Sequence, residues 1–117
     1  MSNQVQFVVE LDITDLAKFK QIASACMERV EATEPTTLAY LWNLSEDGSK
    51  CVILEWYASA AVIPAHFALV GPLLAEMGSA AQITRFQVFG NLTDEARQAL
   101  APTGAATYGL WAGFSRR

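Results

Sequence analysis

At 117 residues the chain has room for one domain with one core and is too short to divide into two. Twelve acidic residues against eight basic ones leave a net charge of −4 and a pI of about 4.8, so its field repels phosphate backbones and argues against nucleic acid as a partner. A hydrophobic share of 52% with a mean hydropathy of +0.22 predicts a greasy pocket or a self-association surface.

The start Met1-Ser2-Asn3-Gln4 places no basic residue before an apolar run and does not resemble a signal peptide, so a cytoplasmic location is expected. Trp56 to Ala75 lacks Asp, Glu, Lys and Arg and is long enough to cross a bilayer. It also contains Ser59, Pro64, His66, Gly71 and Pro72, and reads instead as two short helices of a protein with no membrane partner. Cys26 and Cys51 show no CxxC spacing and are expected to be buried thiols, neither a bridge nor a metal site.

From Val5 to Ile13, Val5, Phe7, Val9 and Leu11 alternate with Gln6, Val8, Glu10 and Asp12, the period of a strand with one strongly apolar face. Thr14 or Asp15 then caps a helix whose Leu16, Phe19, Ile22, Ala23, Cys26, Met27 and Val30 recur at steps of three and four, until Pro35 ends it. Thr36 to Leu44 and Lys50 to Tyr57 read as strands joined around Asp47-Gly48, a hairpin apolar on both faces. Something must therefore cover each face, and two helices cover only one.

Ser59 caps a second helix carrying Ile63, Phe67, Val70, Leu74 and Met77, expected to kink or break at Gly71-Pro72 and to stop at Gly78. Ala81 to Phe89 alternates again, with Thr84, Phe86 and Val88 opposed to Ile83, Arg85, Gln87 and Phe89, giving a fourth strand. The order βαββαβ makes this an α+β chain of ferredoxin-like type. After Gly90, Thr93 caps a short helix ended by Pro102 and Gly104. The apolar run Thr107, Tyr108, Leu110, Trp111 and Phe114 that follows is expected to dock as an extra edge strand or as an arm across a partner.

The strand end Glu55-Trp56-Tyr57-Ala58-Ser59, the pair Ala65-His66 seven residues after Ser59, and Pro35-Thr36 at the start of the second strand together resemble the antibiotic biosynthesis monooxygenase family. The resemblance covers about residues 5 to 90. It divides the chain into a family-like domain, 1–90, and a C-terminal extension, 91–117, which lies outside the family core and whose apolar run alone predicts docking on the same domain or on the partner subunit. It implies a dimeric α+β barrel in which two subunits pair sheet against sheet, the cover that the strand faces require. It also implies a monooxygenase needing neither metal nor flavin, acting with molecular oxygen on a phenolic, quinol or polycyclic aromatic substrate. Relatives also include haem-degrading proteins and proteins without an assigned activity. A non-catalytic ligand-binding or assembly module on the same barrel, and haem chemistry, therefore stand as alternatives.

Such a reaction needs a base to make the substrate electron-rich and a dry pocket to hold the anion. His66, the only histidine, is the expected base, as a neutral imidazole with an ordinary pKa near ~6.5. A histidine packed between helix and sheet reads equally well. Glu55 could orient His66 or a substrate hydroxyl, or else pair with Arg85. Arg85 could neutralise an oxyanion, or sit on the surface. Tyr40, Trp42, Trp56, Tyr57 and Phe67 offer flat apolar walls and phenol donors for a small aromatic molecule, and each also suits a core or dimer interface. Asn43 could bind a carbonyl or merely shape the turn beside it.

Overall fold

A computed structural model describes residues 3–116. The elements are β1 (Val5–Ile13), α1 (Leu16–Thr33), β2 (Thr37–Leu44), β3 (Lys50–Tyr57), α2 (Ile63–Met77), β4 (Ala81–Phe89), α3 (Asp94–Leu100) and β5 (Ala106–Tyr108). They form one sheet in the order β2-β3-β1-β4-β5. The first four strands are antiparallel to their neighbours in the ferredoxin-like arrangement, and β5 runs parallel to β4.

One face of the sheet is buried under α1 and α2. Val5, Phe7, Val9 and Leu11 of β1 and Cys51, Ile53 and Tyr57 of β3 meet Phe19, Ile22, Cys26 and Val30 of α1 and Ile63, Val70, Leu73 and Met77 of α2. The alternation of strand residues dictates this face, and the three- and four-residue steps of the helices supply its cover. Asp15 caps α1 by accepting the Lys18 amide at 3.1 Å, and Thr93 caps α3 by accepting that of Ala96 at 3.1 Å.

Three local expectations are corrected. α2 does not break at Gly71-Pro72; it runs on to Met77 with Pro72 inside it. Pro72 and Ala68, whose carbonyl loses its helical partner there, both lie on the exposed side, where water satisfies that carbonyl while the buried stripe holds the helix. The second correction is in β4, where the register with β1 steps from Glu10↔Arg85 to Leu11↔Ile83. Thr84 is the extra residue of this bulge, and its hydroxyl donates to the Glu10 carbonyl at 3.2 Å. Ile83 consequently joins Phe86 and Val88 on the helix side instead of opposing them. The third is in β2, where strict alternation puts Leu38 with Tyr40, Trp42 and Leu44; an irregularity between Thr37 and Ala39, with Leu38 unpaired, breaks that alternation.

The helix of Ala60–Met77, including its first 3-10 turn, is long and apolar enough by composition to cross a membrane. Here it packs along the sheet through Ile63, His66, Val70, Leu73 and Met77. Among the described residues no helix covers the other sheet face. Leu41 and Leu54, paired across β2 and β3, are 54% and 42% exposed there.

Gly90 marks the passage from β4 to the extension. Its φ of 129° is one that only glycine adopts readily, and a Cβ would lie 2.6 Å from the Gln4 carbonyl oxygen. Gly90→Ala is expected to cost about 2 kcal/mol or more, read as a lower urea midpoint with an unchanged slope.

Candidate functional site

A cavity of about 480 Å³ lies between α2 and the buried face of the sheet. Its walls are apolar, with Val9, Ile53, Phe67, Leu74, Ile83 and Phe86 prominent, and Tyr40, Glu55 and His66 give it a polar end. Strand alternation sets this pairing: Glu55 and Tyr57 are two apart on the inward face of β3, and Tyr40 of β2 lies directly opposite Glu55. His66 arrives from the buried stripe of α2 and is only 2% exposed.

Four side chains form one buried hydrogen-bonded array. His66 Nδ1 lies 3.1 and 3.0 Å from the two oxygens of Glu34. Its Nε2 is 3.1 Å from the Tyr57 hydroxyl oxygen and 3.3 Å from Glu55 Oε1. The Tyr57 hydroxyl donates to Glu55 Oε1, and Thr37 Oγ1 donates to Glu34 Oε1 at 2.8 Å. Tyr40 closes the group with its ring edge-on to His66 at 5.7 Å.

The partners of the two ring nitrogens bear on the charge of the imidazole. Tyr57 has one hydroxyl hydrogen and gives it to Glu55, so Nε2 can only donate toward the oxygens it faces. Nδ1 faces a carboxylate and must donate as well. That arrangement, with acids on both sides of the ring, favours an imidazolium over the neutral imidazole expected at this position. Burial works to lower its pKa, but the hydrogen bond and charge of Glu55, followed by those of Glu34, outweigh burial and raise it above the ordinary 6.5. Burial, reinforced by the Glu55 charge, pushes the phenols of Tyr40 and Tyr57 far up, so both stay protonated donors.

The structure gathers His66, Glu55, Tyr40, Tyr57 and Phe67 at one place. Trp42 shares the inward face but packs on Phe19 with ring centroids 5.8 Å apart, and its buried indole N–H has no partner. Trp56, Asn43 and Arg85 lie on the opposite face, since they stand across from Gln6, Val52 and Glu10. Trp56 donates its indole N–H to Gln4 Oε1 at 2.9 Å, and the Asn43 side-chain amide donates to the Val52 carbonyl at 3.1 Å. Arg85 approaches Glu10 at 3.8 Å rather than Glu55, with its side chain 61% exposed. Arg85→Ala is therefore expected to leave turnover unchanged and to shift stability by no more than about 0.5 kcal/mol.

Glu34 is the site residue that the sequence does not single out, standing only as the residue before the Pro35 that ends α1. A signal was present: the last turn of α1 carries no basic residue. A carboxylate there faces the negative end of the helix dipole, a placement that calls for a compensating partner.

No family model matches the sequence, and no curated protein is similar to it. Solved structures are similar to it in three dimensions. MupZ from Pseudomonas fluorescens superposes with a TM-score of 0.86 at 24% identity, covering 98% of this chain and 96% of MupZ. SnoaB from Streptomyces nogalater, a cofactor-independent oxygenase, gives 0.66 at 14% identity over 79% of this chain and 96% of SnoaB. A provisionally assigned antibiotic biosynthesis monooxygenase from Caulobacter crescentus gives 0.60 at 24% identity over 73% of this chain and 88% of its own. The chain has the antibiotic biosynthesis monooxygenase fold. Within that fold its cavity and buried acid-imidazolium array sit under the helices, and MupZ matches it over nearly the whole length, extension included.

Proposed function

We propose that this chain is a cofactor-independent monooxygenase for a phenolic, quinol or polycyclic aromatic substrate, working as a homodimer. The observation that carries the reading is the Glu34–His66–Glu55 array at the polar end of an otherwise apolar cavity. With His66 charged, the three groups hold one net negative charge and accept one proton. Glu55, which lines the cavity, is the group that takes the proton from the substrate hydroxyl. His66 and Tyr57 hold donors beside the charge that develops, the role sequence reading considered for Arg85.

The substrate anion, kept from water by the apolar walls, then gives one electron to oxygen. The resulting radical and superoxide join through a new carbon–oxygen bond, and the peroxide anion takes back the proton that Glu55 holds, becoming the hydroperoxide. Where that carbon bears a hydrogen, the hydroperoxide loses water: one oxygen atom stays as a carbonyl and the other leaves in the water. Among the described residues no arginine or lysine lines the cavity, and the Glu34–His66–Glu55 array at its polar end carries one net negative charge. Uncharged aromatics should therefore bind better than carboxylated ones.

Oxygen uptake with a panel of quinols and anthrones tests this. Glu55→Gln and His66→Ala are each expected to lower turnover by roughly 10²–10⁴. Equal or absent turnover in all three proteins would favour a non-catalytic binding module. Haem chemistry is disfavoured because both imidazole nitrogens are spent on Glu34, Tyr57 and Glu55, leaving no lone pair for iron. A Soret shift on adding haem would restore it.

The homodimer is supported by the sheet face that carries no helix, where Val8, Leu41, Val52 and Leu54 form an apolar strip. Sedimentation of the protein over a range of concentrations, with Leu54→Asp as the disrupting variant, tests the pairing. A monomer at every concentration would exclude it.

A further inference from the structure

The extension after Gly90 is anchored at its start and exposed at its end. α3 buries Ala96 and Leu100, β5 pairs with β4, Phe89 stacks on Tyr108 at 5.2 Å, and the Gly90 amide donates to the Tyr108 carbonyl at 2.8 Å. Beyond Tyr108 no regular element follows. Leu110 is 58% exposed, Trp111 97% and Phe114 82%. Exposed apolar residues are ordinary when scattered, but three large ones within five positions are not. From Gln98 to Ser115 there is also no charged residue, in a chain that is 17% charged. A solvated tail would carry charge.

A groove of about 590 Å³ lies beside this segment, bounded by Gln6, Trp56 and Phe89 of the uncovered sheet face and by the segment itself. Each chain thus presents both an apolar arm and an unfilled groove next to it.

We propose that residues 109–115 form an arm that is exchanged between two copies of this chain, Trp111 and Phe114 of each entering the groove of the other. A two-fold axis satisfies both features at once, since each copy gives one arm and receives one. Aromatic side chains bury about 150–250 Å² each, so the arm with Leu41 and Leu54 brings the loss to roughly 700–800 Å² per copy. That is the size of a standard stable interface, about 800 Å² per partner. The Arg116 guanidinium, 4.8 Å over the Phe114 ring, sits at the rim where a charge stays wet.

The inference rests on the homodimer proposed above, and the experiment separates the two. Sedimentation equilibrium of the full chain is compared with Trp111→Ser/Phe114→Ser and with Leu54→Asp, each first checked by circular dichroism. Acrylamide quenching of the wild type against Trp111→Phe isolates the emission of Trp111. The expected result is a dimer in which Trp111 is protected and whose dissociation constant rises about a hundredfold or more in the double variant. A dimer weakened by Leu54→Asp but not by the double variant, with Trp111 freely quenched, overturns the arm and leaves the sheet pairing standing. A wild type that is monomeric throughout overturns both. Protection of Trp111 in a monomer overturns the exchange, because the arm would then lie on its own chain.

Discussion

Glu34→Ala is expected to remove about 3 kcal/mol of folding stability and to lower turnover by roughly a hundredfold or more. The Glu34 and His66 side chains are only 4% and 3% exposed and lie 3.0 Å apart, so deleting the carboxylate leaves a buried imidazolium with one counter-charge and an unpaired Nδ1–H. The imidazole relieves that cost by giving up its proton. Nδ1 is then left bare while Nε2 still donates toward Tyr57 and Glu55, and the charge that offsets the substrate anion is gone. Glu34→Gln separates geometry from charge: its amide oxygen still accepts from Nδ1, so stability should fall less than for alanine while turnover falls comparably. Urea unfolding and oxygen uptake on the three proteins read both effects. An alanine variant as stable and as active as the wild type would remove Glu34 from the site.

The strands and the first helix were legible because their burial follows directly from period. Val5, Phe7, Val9 and Leu11 point one way because successive strand residues must alternate, and the stripe from Phe19 to Val30 recurs at helical steps. What escaped reading depends on tertiary placement. Thr84 opens a bulge that no alternation rule anticipates, and it carries Ile83 into the cavity wall. Pro72 is tolerated because its turn faces outward, which only the packed helix reveals. Part of the site was readable: alternation already placed Glu55 and Tyr57 together and Trp56 opposite, and the helical step already aimed His66 at the sheet. Glu34 was not, because thirty-two positions separate it from His66 and only the packing of α1 beside β3 and α2 brings them together. The charge state of His66 followed from that missing partner.

Stability and turnover should both decline as pH rises from about 6.5 through the raised pKa of His66. The native protein keeps a proton on His66 that the unfolded chain releases near 6.5, because Glu55 and Glu34 outweigh burial and raise the folded pKa. A raised folded pKa gives a contribution that is fully present below the unfolded value and is lost as pH climbs through the folded one. His66 is the only histidine, and the buried thiols of Cys26 and Cys51 are pushed up from 9.0 to about 11, so this window reports mainly on His66. In urea unfolding the wild-type free energy should slope downward while that of His66→Gln stays flat, with Glu34→Gln intermediate should the histidine variant fail to fold. The turnover profile distinguishes two chemistries. If a neutral imidazole were the base, rate would rise with pH as His66 lost its proton. With Glu55 as the acceptor and the imidazolium as the charge that stabilises the substrate anion, rate must fall along the same limb as stability. A rising rate over a falling stability would return the base to His66 and make Glu55 the group that orients it.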